Sequence, residues 1–127
     1  MAESPWLDQY PADVSRSLSD ISFRHLPELI SAASKTYSKR KAFIQVMPNG
    51  MNGKLSFQQV DELSDSFARY LREVLKLNVG DRVAVQMPNN LSYPVVAFGI
   101  FKAGLVLVNT NPPITVQFVK NNIQLMN

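Results

Sequence analysis

A chain of 127 residues is about one domain in length, and with 46% apolar and 18% charged residues it reads as a globular protein with a real core. It has no cysteine, which excludes disulfides, thiolate nucleophiles and cysteine-ligated metals, and its one histidine, His25, makes a multi-histidine zinc site or a histidine-based triad hard to build. A formal charge of +3 is far from the dense basic stripe of a nucleic-acid binder, so no nucleic acid is expected as a partner.

Residues 1–22 contain Pro5 and Pro11 and no sustained period. They read as an extended amino-terminal arm, with Trp6 and Tyr10 available to anchor it on a folded body. No basic segment leads into an apolar one, so no signal peptide is read. The most apolar stretch, residues 94–108, is interrupted by Lys102 and falls short of the roughly 18 residues of a spanning helix. A cytoplasmic protein is expected.

From Leu26 the apolar positions Leu26, Leu29, Ile30, Ala33 and Tyr37 share one helical face, with Pro27 in the first turn, where its missing N–H is harmless. Residues 42–47 read as a strand, Pro48-Asn49-Gly50 as a turn, and Lys54-Leu55-Ser56 as the returning strand of a hairpin. Ser56 and Gln59 form a capping-box pair opening a long helix. Its apolar stripe runs through Phe57, Val60, Leu63, Phe67, Leu71, Val74 and Leu75. Residues 78–81 break that helix, residues 82–87 form a strand, and residues 88–90 a loop. An apolar helix follows over residues 93–103, with Pro94 in its first turn and Gly104 as its stop. Residues 105–108 read as a fully buried strand, residues 109–114 as a loop, and Thr115 as the cap of a final helix carrying Val119, Ile123 and Met126.

Helices alternating with strands define an α/β class: a partial open, mainly parallel sheet with flanking helices and one short hairpin. Residues 23–127 are expected to be an incomplete α/β subdomain, because the chain stops inside an amphipathic pattern.

The residues that carry chemistry elsewhere are sparse here. The glycines, Gly50, Gly53, Gly80, Gly99 and Gly104, form neither GxGxxG nor GxxxxGK[ST], so no phosphate cradle is read. The run Lys39-Arg40-Lys41 has the chemistry to meet phosphate or an anionic lipid surface, but its shortness fits a solvated turn better. His25, at a helix start and without a triad partner nearby, reads as a cap or surface residue rather than a general base. Asp61, Glu62 and Asp65 read as surface acids matched to the dipole of their helix rather than paired catalytic carboxylates. Gly99 reads as a close-packing point. No catalytic, cofactor-binding or metal-binding residue is assigned.

Three segments nevertheless resemble one family. Gly80-Asp81-Arg82-Val83-Ala84-Val85-Gln86-Met87-Pro88-Asn89, then Tyr93-Pro94-Val95-Val96-Ala97-Phe98-Gly99-Ile100-Phe101-Lys102-Ala103-Gly104, then Val108-Asn109-Thr110-Asn111-Pro112 are similar, in order and spacing, to the adenylate-forming acyl-CoA ligases. The opening Trp6-Leu7-Asp8-Gln9-Tyr10-Pro11-Ala12-Asp13-Val14 resembles the front of bacterial long-chain fatty acyl-CoA ligases in particular. The resemblance implies the amino-terminal part of a larger adenylate-forming domain. For the whole enzyme it implies ATP, magnesium and coenzyme A as cofactors and a fatty acid as substrate. An acyl-adenylate would form first and a thioester second, with peripheral contact at the inner membrane face to collect substrate. The phosphate loop, nucleotide contacts and adenylation lysine of that family lie beyond Asn127, so this chain alone is expected to be inactive and to self-associate through bare apolar surface. One departure is Phe118, which stands where the family's helix start has a glutamate. The rival expectation is a stand-alone, non-catalytic binding or self-association module derived from the same fold.

Overall fold

The computed structural model describes residues 5–15, 17 and 22–110. The helix expected after Thr115, with Phe118, and most of the loop before it lie outside those residues. In chain order the elements are α1 (Leu26–Thr36), a hairpin of β1 (Lys41–Val46) and β2 (Asn52–Ser56), α2 (Phe57–Arg69), β3 (Arg82–Val85), α3 (Ser92–Lys102) and β4 (Val106–Asn109). The arm differs in detail from an extended segment. Pro5–Gln9 is a 3-10 turn, and Trp6 and Tyr10 remain exposed instead of anchoring it. Proline fixes the φ that a first helical position needs, which favours a turn there.

The helix starts follow local chemistry. His25 is the N-cap of α1, its Nδ1 accepting from the Glu28 N–H at 3.2 Å, with Pro27 in the first turn. The capping box of α2 is complete: Gln59 N–H donates to Ser56 Oγ at 3.1 Å, and Ser56 N–H donates to Gln59 Oε1 at 2.9 Å. Past Arg69, however, the helix widens into a π turn, Tyr70–Val74, closed by the Leu75 N–H on the Tyr70 carbonyl. One extra residue advances the helical phase by about 100°. Leu71 keeps its place in the core, but Val74 and Leu75, read from the sequence as part of the buried stripe, turn outward at 63% and 48% exposure.

Two small sheets result. β1 and β2 pair antiparallel with a bulge between Lys41 and Phe43, and β3 pairs parallel with β4. The parallel pair is joined through α3, and the core lies beneath it: Leu71, Val85, Ile100, Ala103 and Leu105 are buried together. Helix α3 ends in a Schellman arrangement, Leu105 N–H bonding the Ile100 carbonyl and Gly104 N–H the Phe101 carbonyl. Gly104 takes φ +73°, which an L side chain resists. The fully buried strand expected after it is only half so: Leu105 is buried, whereas Val106 is 43% exposed. In register, Val83 and Leu107 face the core with Val85, while Arg82, Ala84, Val106 and Val108 share the other face. Helix α3 covers the first face, and exposed Ala84 and Val106 lie on the second.

Candidate functional site

In open α/β sheets, ligands bind outside the carboxyl ends of the strands. Here β3 and β4 end at a crevice of about 490 Å³ lined by Val85, Met87, Asn89, Tyr93, Asn109 and Thr110. Its wall is held by neutral hydrogen bonds. Tyr93 Oη and Asn109 Oδ1 are 2.9 Å apart, tying the first turn of α3 to the exit of β4, and Thr110 Oγ1 donates to the Val85 carbonyl at 3.1 Å. Such groups orient a hydroxyl or an amide. They bring no carboxylate, imidazole or amine to the crevice.

The helix end facing this crevice is already satisfied. Asn90 Oδ1 accepts from the N–H groups of Ser92 and Tyr93 at 3.0 and 3.2 Å, and Pro94 has no N–H to offer. An anion therefore finds no free first-turn amides there.

The other candidates from the sequence are dispersed. His25 spends its Nδ1 on the α1 cap. In the run Lys39-Arg40-Lys41, all three residues are exposed, and Arg40 lies 5.3 Å from the centre of the Tyr37 ring. Gly99 is a point of contact: a Cβ there would fall 2.8 Å from Phe67 Cδ1 and 2.9 Å from the Ser64 carbonyl oxygen.

The acids of α2 need a correction. Glu62 is exposed, as a surface acid should be. Asp61 and Asp65 instead grip Lys102, whose Nζ lies 2.6 Å from Asp61 Oδ1, 2.7 Å from Asp65 Oδ1 and 3.1 Å from the Asp61 carbonyl oxygen. The lysine side chain is only 8% exposed. Its three N–H donors thus meet three oxygens. Carboxylates one helical turn apart make this clamp, and their partner is 37 and 41 residues away in sequence. The signal available in the sequence was Lys102 itself, a lone charge in an apolar helix, which must find counter-charge if buried. Contacts of Asp61 with Lys102 and of Ser64 and Phe67 with Gly99 mean that α2 and α3 run antiparallel.

A parallel strand pair spanned by one helix, beside a hairpin and a second long helix, recurs in a solved structure. A fatty acid AMP ligase from Legionella pneumophila matches it with a TM-score of 0.70 at 16% identity, over 88% of this chain and 19% of that one, a likeness of fold alone. The sequence goes further. The family model of the AMP-binding enzymes matches residues 30–123, and the chain belongs to that family. It is 42% identical over 107 residues to a long-chain-fatty-acid–CoA ligase of Salmonella typhimurium, covering 84% of this chain and 18% of that one. It is 35% identical over 122 residues to a protein of the same name from Haemophilus influenzae, covering 96% and 21%. The chain thus spans about a fifth of the length of the curated relatives it matches.

The described residues do not fit a nucleotide triphosphate with its magnesium. The amides at the start of α3 are taken, and no three His, Cys, Asp or Glu side chains gather among the described residues.

Proposed function

We propose that this chain contributes the structural frame, and not the reacting groups, to an ATP-dependent long-chain fatty acid–CoA ligase. The observation that carries this reading is the 42% identity to such a ligase over 84% of the chain. The neutral crevice and the structural use of one charged cluster support it: Lys102, Asp61 and Asp65 hold two helices together and are not arranged around a substrate. In the whole enzyme, ATP, magnesium and coenzyme A would be handled by residues outside this chain, and a fatty acid would be the substrate, collected by peripheral contact with the cytoplasmic face of a membrane. No helix among the described residues is long and apolar enough to cross one. Residues 1–22 are an arm in this reading, and residues 23–127 part of a larger α/β domain.

Alone, the chain is expected to pair with itself through the hairpin side, where Leu29, Ile44, Val46 and Met47 are 42–69% exposed. The reading is tested by a chimera in which this chain replaces the 107-residue matching stretch of the Salmonella ligase. The chimera should form acyl-CoA from oleate, ATP and coenzyme A, while the chain alone should not exchange pyrophosphate into ATP. A folded chimera without ligase activity, or robust exchange by the chain alone, would overturn it.

A further inference from the structure

Two Asn-Gly pairs lie close together in the hairpin, Asn49-Gly50 in its turn and Asn52-Gly53 at the start of β2. An asparagine before a glycine can close on itself. The glycine nitrogen attacks the side-chain carboxamide carbon, and the missing Cβ leaves that approach open. The two pairs share this chemistry and differ in their backbone.

In the turn, Met47 N–H donates to the Met51 carbonyl at 2.8 Å, and Gly50 N–H to the Met47 carbonyl at 2.9 Å. Asn49 Oδ1 accepts from the Met51 N–H at 3.1 Å. That bond wraps the carboxamide around the Asn49–Gly50 peptide and brings its carbon toward the Gly50 nitrogen. The same N–H stands where negative charge grows on Oδ1 during attack. Residues 48–51 are all exposed, so water and hydroxide reach both groups. The Gly50 bond to Met47 must open first, and a single bond in an exposed turn opens readily.

Asn52-Gly53 is held differently. Asn52 pairs with Val46, and Gly53 with Gln45. Because Met47 N–H bonds the Met51 carbonyl, the alternation of the antiparallel ladder makes Gln45 and Gly53 the next bonded pair. Gly53 is half-buried, and a Cβ there would fall 2.8 Å from Leu91 Cδ1. Turning this peptide toward its own side chain would break the ladder and displace Leu91.

We propose that Asn49 is a site of spontaneous conversion to aspartate and isoaspartate, from which the ladder protects Asn52. Hydroxide takes the Gly50 N–H proton, the nitrogen bonds to Asn49 Cγ, and the Cγ–Nδ2 bond breaks. Nδ2 takes a proton from water and leaves as ammonia. Water then opens the cyclic imide, at the side-chain carbonyl to give aspartate or at the main-chain carbonyl to give isoaspartate. One water is consumed for each ammonia released, and nothing is oxidised or reduced. Residues 39–54 carry Lys39, Arg40, Lys41 and Lys54 and no acid, so either product puts the first carboxylate among them. Isoaspartate also lengthens the main chain between Met47 and Met51, so that product alone undoes the closure of the turn.

The test incubates the whole chain in mildly alkaline buffer, folded and in urea, and follows each asparagine by site-resolved mass spectrometry. Labelling by an isoaspartyl methyltransferase reports the second product. In the folded chain Asn49 should lose its amide at least about tenfold faster than Asn52, and in urea the two rates should converge. Comparable rates in the folded chain, no loss at Asn49, or a difference that survives in urea would overturn the proposal. Hydrogen exchange of the Met47 N–H reads the consequence. It should quicken at least about tenfold in the isoaspartate form and stay unchanged in Asn49→Asp. An equal rise in Asn49→Asp would assign the loosening to charge and overturn the role given to the lengthened backbone.

Discussion

Helix α3 meets two neighbours in different ways. Against α2 it offers a glycine, Gly99, into which Phe67 and the Ser64 backbone fit, and a lysine whose three donors are all taken. Against α1 and the hairpin it offers Phe98, tilted on Phe43 at 6.3 Å between ring centres. Around that pair an apolar groove of about 240 Å³ stays open between Leu26, Leu29 and Val60. The first contact is closed by shape and charge together. The second is apolar matter in proximity, with Leu26, Leu29 and Phe43 each at least 36% exposed. The difference separates a contact closed from both sides from one that leaves apolar side chains exposed.

The largest effect should come from Ile100→Ala, since Ile100 is fully buried at the centre of the closed contact. A loss of about 3–4 kcal/mol is expected from the missing methyl groups and the cavity, read as a shift of the urea midpoint at constant slope. A loss below about 1 kcal/mol would mean that the core is loose and that the contrast between the two sides is false.

Lys102→Met should cost less, about 1–2 kcal/mol. It keeps the apolar stem but leaves Asp61 and Asp65 facing each other without the cation, and both carboxylates retain access to water, at 25% and 56% exposure. If the double change of Asp61→Asn with Lys102→Met is no worse than the single one, the clamp is a coupled unit. Strict additivity would reduce it to two separate surface effects.

The smallest effect belongs to the open side. Ile44 is 56% exposed on β1, so Ile44→Thr should change stability by no more than about 0.5 kcal/mol while weakening self-association. Sedimentation of both proteins over a range of concentrations reads the second quantity, and chemical unfolding the first. A large stability loss with unchanged association would place Ile44 in a finished core and erase the distinction.

What was legible in the sequence was mostly local. The Ser56 and Gln59 pair lies three residues apart, and both halves of the capping box form. Gly104 follows an apolar run, and the Schellman turn forms there. Pro27 and Pro94 fall in first turns, where a proline marks an entry. What escaped is long-range or depends on phase. The Lys102 clamp joins residues that no spacing rule connects, so Asp61 and Asp65 looked like ordinary surface acids. Val74 and Leu75 continued a period that the π turn breaks, and periodicity carries no mark of a widened turn. The run at residues 105–108 is composed for burial on both faces, yet Leu105 is buried and Val106 is exposed, and composition carries no mark of which face a neighbouring element covers. The crevice of Tyr93 and Asn109 escaped for the same reason, since it needed β4 to lie beside β3.

The widened turn at Tyr70–Val74 also bears on how such a chain tolerates changes in its length. A turn closed five residues back holds one residue more than the α-turn it replaces. Removing an exposed residue there is expected to restore an ordinary helix, with the change in phase taken up in the coil leading into β3, where Lys76 has a left-handed conformation. Upstream, the capping box, the clamp and the Gly99 contact keep their register, because all of them lie before the turn on α2 or across from it on α3. The same single-residue deletion at residues 61–68 would carry Asp65 and Phe67 about 100° around the helix and undo the clamp and the packing in one step. Leu71, inside the turn, is itself buried in the core, so the slack is confined to the exposed residues 72–76, where loss of one residue is expected to leave the upstream contacts in register.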